Sequence, residues 1–183
     1  MSSRSTYAIS AATEAECDEL AVLINSAYRG EASRQGWTTE AEYLDGQRTD
    51  PVTLKAVIRK PEMTLYCLRE GMGQPILAAV QVELLNGGGD LYFGMLTVRP
   101  DMQAKGLGRA LLDHVESVAQ AQGCQRVVMG VIHIRVSLIA WYQRRGYRLT
   151  GETRPFPYGK SEFGIPRRDD LHFVMFEKSI PSR

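Results

Sequence analysis

The chain has 183 residues and a formal net charge of +1, from 22 basic and 21 acidic side chains. That length suits one domain with a buried core, and that charge balance offers no field to draw in nucleic acid or an anionic membrane. No apolar run reaches the roughly 20 residues of a membrane span, and MSSRSTYAIS lacks a signal peptide's apolar centre, so a cytoplasmic protein is expected.

In chain order, Thr13 and Glu16 form a capping box that opens a helix through TEAECDELAVLINSAYR, with Cys17, Leu20, Ala21, Ile24 and Tyr28 at helical spacing. GEASRQGW reads as a loop. TTEAEYLDG predicts a short helix stopped at Gly46, and Asp50-Pro51 opens either a further short helix through Ile58 or a loop. Strands are predicted at TLYCLRE (64–70), ILAAVQVELL (76–85) and DLYFGMLTV (90–98), the last two joined by the turn NGGGD. A glycine loop leads into a helix over about 106–122, with an apolar stripe of Leu107, Ala110, Leu111, Val115, Val118 and Ala119.

Gly123 stops that helix. QRVVMGVI (125–132) is a strand, SLIAWYQRR (137–145) a helix closed by Gly146, and YRLTGET and DLHFVMFEK are two final strands. Between those two lies RPFPYGKSEFGIPRR, a loop long enough to suggest function. No repeat or linker divides the chain, so residues 1–183 are read as one domain built on a mixed α/β sheet. Cys17, Cys67 and Cys124 are scattered, which suits buried free thiols, and neither they nor the three histidines show metal-ligand spacing.

The stretch TVRPDMQAKGLGRALLDH (97–114) sets Lys105 and Arg109 at a helix start, where the peptide dipoles disfavour cations. No Ser, Thr, Asp or Asn immediately precedes the helix to cap it. Open amide donors, glycines at 106 and 108 and two local cations together describe an anion site. A plain strand-to-helix turn is the competing reading. The P-loop is excluded because Arg109 and Ala110 follow Gly108, and the dinucleotide fingerprint fails at Leu111.

The string V-x-P-x-x-Q-x-x-G-x-G-R-A-L-L resembles the acyl-CoA loop of the GNAT superfamily of N-acetyltransferases, and WYQRRGY resembles that family's later tyrosine segment. The likeness follows the family order from about residue 64 to 150. It implies a single-domain, mostly antiparallel mixed sheet flanked by helices, with a splayed parallel strand pair ending near Val98 and Ile132. Acetyl-CoA or another acyl-CoA would lie in that gap. Its pyrophosphate would meet Gln103, Ala104, Lys105, Gly106, Leu107, Gly108 and Arg109, mostly at their amides, and its pantetheine arm would meet the backbone of Leu96, Thr97 and Val98. The resemblance implies no metal.

In the same resemblance Tyr142 is the general acid for the leaving thiolate; read alone, it is also a tyrosine that packs on the sheet beside Ile139. Many relatives carry asparagine where this chain has Arg135, which either reaches a CoA phosphate or faces solvent. Ribosomal-protein-type relatives carry a glutamate base where this chain has Gly130. A base is therefore sought elsewhere. Glu83 is the first candidate, on the strand face opposite Val80, Val82 and Leu84, and His133 is the second.

The family places its early helices and last hairpin over the acceptor, which here selects Trp37, Glu40, Tyr43, Arg48, Phe156 and Tyr158; ordinary loop packing is the alternative for each. The expected activity is acyl-CoA-dependent transfer of acetyl to a primary amine of a small molecule by direct attack. A protein N-terminus or lysine, or a CoA-binding regulatory module without turnover, is the alternative. Neither nucleic acid nor membrane is an expected partner, and a homodimer is permitted.

Overall fold

A computed structural model describes residues 7–181; the start of the chain, where no leader is expected, lies largely outside these. Its strands are β1 (Ala8–Ala11), β2 (Leu44–Asp45), β3 (Met63–Arg69), β4 (Ala78–Leu85), β5 (Asp90–Val98), β6 (Arg126–Ile132), β7 (Arg148–Pro155), β8 (Ile165–Pro166) and β9 (His172–Ser179). The helices are α1 (Cys17–Tyr28), α2 (Gly30–Ser33), α3 (Pro51–Ile58), α4 (Leu107–Ala121) and α5 (Val136–Gln143). Seven strands form one sheet in the order β1-β3-β4-β5-β6-β9-β7, and β2 pairs with β8 in a separate ribbon. Every pairing is antiparallel except β5–β6. No helix of the described residues is long and apolar enough to cross a membrane.

Alternation along β4 divides the core. Val80, Val82 and Leu84 pack with α4 on one face, while Ala79 lies with α1 and α3 on the other. Helix α4 buries Leu107, Leu111, Leu112, Val115 and Ala119. Each fully buried Leu or Val contributes roughly 1.5–3 kcal/mol, so together they far exceed the side-chain cap this helix lacks, about 1 kcal/mol. Packing therefore holds α4 and leaves its first turn open. In the 3-10 turn Glu14–Glu16 that leads into α1, the Glu16 carboxylate accepts from the Thr13 amide (2.7 Å), as the capping box predicts. Asp50 caps α3 by accepting from the Thr53 amide (2.9 Å), which settles the helix-or-loop question in favour of the helix. All three cysteines are buried and free.

Three expectations are corrected. TTEAEYLDG is not a helix: it is a series of turns ending in β2, because Leu44 and Asp45 pair across to Pro166 and Ile165. GEASRQGW is not all loop, since Gly30–Ser33 makes one helical turn. The strand β1, unanticipated, pairs with β3.

The seam between β5 and β6 matters most. Pairing covers only Asp90–Arg126, Leu91–Val127 and Tyr92–Val128, and then the strands part. Arg126 closes the paired end by bridging Asp90 (2.8 Å) and Glu177 of β9 (2.7 Å). Beyond it, the register of β5 with β4 shifts between Ala79 and Gln81, and Met95 takes a positive φ of 48°. A residue with a side chain rarely adopts that geometry outside a bulge or special turn. The bulge turns the end of β5 away from β6 while β6 stays zipped to β9 through Ile132.

Candidate active site

The open end of the seam holds two adjoining cavities. Tyr28, Leu96, Arg135, Leu138 and Tyr142 line both. The larger, about 460 Å³, runs between the end of β5, the start of α4 and α5. The smaller, about 160 Å³, lies beneath the β2–β8 ribbon.

The loop entering α4 is shaped by its backbone. Ala104 and Gly106 are left-handed, with φ of 66° and 84°. A Cβ at Gly106 would meet nothing within 4 Å, so its glycine answers a conformational need rather than a spatial one. At Gly108 a Cβ would point towards Trp141, Val98 and Leu96 at 3.7–3.8 Å, into the large cavity. The amides of Gln103 to Arg109 donate to no backbone carbonyl among the described residues. A concave run of open amides at a helix start is a cradle for a pyrophosphate. On this observation the residues fit an acyl-CoA. Gly108→Glu should therefore abolish acetyl-CoA binding in calorimetry, by bulk and by repulsion; unaltered affinity would remove the loop from the site.

Of the residues expected to meet the cofactor, Leu96, Val98, Gln103, Ala104, Gly106, Leu107, Gly108, Arg109 and Arg135 line the large cavity, and Thr97 and Lys105 do not. The Arg99 amide bonds Leu77 in β4 (2.9 Å). By alternation Thr97, opposite Ala79, also turns its amide towards β4, while Leu96 and Val98 turn theirs into the seam. Lys105 lies with its ammonium against the Met102 sulfur (3.3 Å). Gln103 is committed elsewhere: its side chain accepts from the Trp37 amide (2.9 Å) and donates to Thr38 Oγ1 (2.8 Å) and the Val98 carbonyl (3.2 Å). It ties the 36–38 segment to the end of β5.

Arg135 lines both cavities and departs from the solvent-facing alternative. It is not solvent-facing, with a side chain 10% exposed, and its guanidinium bonds Glu40 Oε1 (3.0 Å) and the Thr38 carbonyl (2.8 Å). Glu40 is paired on its other oxygen with Arg29, whose Nη2 donates to the Phe163 carbonyl (3.2 Å). These three charged residues form a buried cluster in the wall of the small cavity.

Tyr142 stands at the junction. It is 4% exposed, its ring packs among Phe93, Trp141, Tyr147 and Phe176, and it borders both cavities. Burial pushes its hydroxyl well above the ordinary phenol range, with no hydrogen bond offsetting it. A group so placed stays protonated at neutral pH and can donate.

The acceptor residues divide. Glu40, Arg48 and Phe156 line the small cavity. Trp37 borders the large cavity, 6.2 Å from Trp141 between ring centroids. Tyr43 and Tyr158 line neither; the Tyr158 hydroxyl bonds Arg168 and Leu171 within its own loop. Of the base candidates, Glu83 sits opposite Tyr92 on β4 but outside both cavities. His133 stacks on His172 at 3.9 Å, also outside them. Sequence reasoning missed Tyr28, Arg29, Tyr92 and Phe163, all in the small cavity. Tyr28 held a core position in the stripe of α1, where an aromatic hydroxyl was the available signal.

Comparison with known proteins agrees with this geometry. The model of the acetyltransferase (GNAT) family matches residues 18–147. N-acetyltransferase family 8 member 7 of Mus musculus is 26% identical over 129 residues, 64% of this chain and 53% of its own length. The chain thus spans about half the length of the curated relatives it matches. The uncharacterised protein YdhI of Bacillus subtilis (strain 168) is 43% identical over 82 residues, 39% of this chain and 51% of its own. Among solved structures, the ribosomal-protein-S18-alanine N-acetyltransferase from Escherichia coli is similar at a TM-score of 0.67 and 17% identity, covering 97% of this chain and 96% of that one. The Salmonella typhimurium protein yncA, solved with its cofactor acetyl-CoA, reaches a TM-score of 0.69 at 17% identity, with the same coverage. At such identities the likeness is one of fold. The family match runs from α1 past α5, and so includes the splayed seam, the amide cradle and Tyr142: the chain belongs to the acetyltransferase (GNAT) family.

Proposed function

We propose that this protein is an acyl-CoA-dependent N-acyltransferase that moves acetyl from acetyl-CoA to the primary amine of a small molecule by direct attack. The observation that carries the reading is the position of Tyr142, a protonated hydroxyl between an amide-lined cavity and a smaller one. The small cavity favours a compact acceptor, since its volume is below the roughly 300–1,000 Å³ usual for larger ligands.

The cofactor would supply an activated thioester. Gln103 to Arg109 would hold its phosphates by backbone amides, and Leu96 and Val98 would offer theirs to the pantetheine arm. In the transfer, a bond forms from the amine nitrogen to the acyl carbon and the carbon–sulfur bond breaks. Tyr142 gives its proton to the departing sulfur and regains one, through water, from the nitrogen. The ammonium must first lose a proton as well. Among the described residues Glu40 is the only carboxylate lining either cavity, and two guanidiniums hold it. Burial pushes the hydroxyls of Tyr28 and Tyr92 upward, so neither is a base near neutrality. Water therefore receives that first proton.

A pH profile checks this step. With no enzyme base, the acidic limb of kcat/KM should follow the acceptor's own amine. Two acceptors whose amines differ by about one pKa unit should give limbs displaced by the same amount. A limb fixed at one pH for both would identify an enzyme base and remove the water relay. Thiol release across small amines, peptides and lysine-bearing proteins tests the acceptor class; release with proteins alone would refute the small-molecule reading.

A further inference from the structure

We propose that the acceptor carries a carboxylate beside its amine, and that Arg48, with the buried Arg29–Glu40–Arg135 cluster, recognises it. This rests on the acyl-transfer reading and names its substrate class.

Arg29, Arg48 and Arg135 line the small cavity, and Glu40 is its only carboxylate among the described residues. The wall therefore has two positive charges in excess, in a space otherwise bounded largely by apolar and aromatic side chains such as Phe156, Phe163 and Phe173. A charge facing a low-dielectric space is costly unless it meets a counter-charge. Glu40 is already shared by Arg29 and Arg135. The Nε of Arg29 is buried with no partner. Arg48 makes no ion pair among the described residues, yet its place is fixed: Asn25 Oδ1 accepts from its amide (2.7 Å), and its guanidinium stands 6.0 Å from the Tyr28 ring centroid.

Such a wall repels an acceptor that is only a cation. It suits one with an amine for the seam and a carboxylate for the arginines, joined to a compact apolar remainder. An amino acid of the leucine type has that chemistry. The same wall also helps the reaction, because nearby positive charge disfavours the ammonium form. Proton loss to water then becomes easier at a site without a base.

The test compares leucine with 3-methylbutylamine, which is leucine without its carboxylate, by thiol release from acetyl-CoA. N-acetyl-leucine and N-acetyl-3-methylbutylamine are compared in parallel by calorimetry on the CoA-loaded protein. Leucine should be favoured in kcat/KM by about tenfold or more, the scale of one charge-assisted hydrogen bond. Arg48→Met should collapse that preference towards unity through KM, and Arg48→Lys should restore part of it. Equal use of both acceptors would overturn the proposal while leaving acyl transfer standing. Carboxylate-dependent binding without thiol release would support the proposal and refute acyl transfer. Neither binding nor release would overturn both. A marked preference for succinyl-CoA that Arg48→Met abolishes, with no dependence on the acceptor's carboxylate, would assign the arginines to the acyl group and also overturn the proposal.

Discussion

Tyr142→Phe should lower kcat by about 10²–10⁴-fold, the range for a positioned proton donor, with little change in acetyl-CoA affinity. The ring contacts with Phe93, Trp141, Tyr147 and Phe176 survive the substitution, so the fold and the cavity shape should persist. Only the donor is lost. Because burial pushes this hydroxyl upward, it is protonated at every pH below its ordinary value of about 10. The wild-type rate should therefore show no alkaline limb from this group between pH 6 and 10. Thiol-release kinetics and calorimetric affinity, measured on the same variant, separate the two parameters. Intact kcat with intact binding would remove Tyr142 as the acid and leave its position at the junction a matter of packing.

The second large effect falls on stability. Glu40→Gln leaves Arg29 and Arg135 buried side by side with no negative partner. Removing one member of a buried ion pair costs about 3–5 kcal/mol. For a domain of this size that is a fall in Tm of roughly 6–20 °C. The side chains of Arg29, Glu40 and Arg135 are only 5–10% exposed, so added salt should recover little of it. A second substitution sharpens the test. Adding Arg135→Met removes one of the two stranded charges, and the double variant should melt above Glu40→Gln alone. Equal melting of wild type and Glu40→Gln would mean that the cluster is not a coupled unit.

The sequence was most legible where a local pattern decides the structure. The stripe on α4, the strands from Met63 to Val98 and the stops at Gly123 and Gly146 follow from periodicity and turn chemistry alone. The open amides at the start of α4 were legible for the same reason, since glycine spacing and a missing cap are local facts. What depends on distant pairing was not. TTEAEYLDG has helix-forming residues, but Leu44 and Asp45 are held by β8, some 120 residues on. The β-bulge that opens the seam turns on Met95, a residue with no preference for positive φ.

The acceptor side shows the same division. Glu40 and Arg48 were selected as wall residues from a stretch that is irregular in sequence, and both line the cavity. That Arg135 would reach back 95 residues to Glu40 could not be read from either position. Its substitution for asparagine marked the site as unusual, and the ion cluster explains what the arginine does instead. Glu83 is a base candidate for its place on a central strand and for a carboxylate's chemistry, and His133 for an imidazole's. Both lie outside the two cavities: Glu83 on β4 pairs across to Tyr92, and His133 stacks on His172.

On the proposed reading, the seam transfers an acyl group rather than only holding its donor. The most direct measurement is free-thiol release from acetyl-CoA, followed with a compact amino-acid acceptor and matched by mass spectrometry of the acetylated product. Equal amounts of thiol and N-acetyl product, formed over many turnovers by wild type and suppressed in Tyr142→Phe, are expected. Tight acetyl-CoA binding with no thiol release across amines, amino acids, peptides and proteins would contradict it, and would make this fold a sensor of its cofactor.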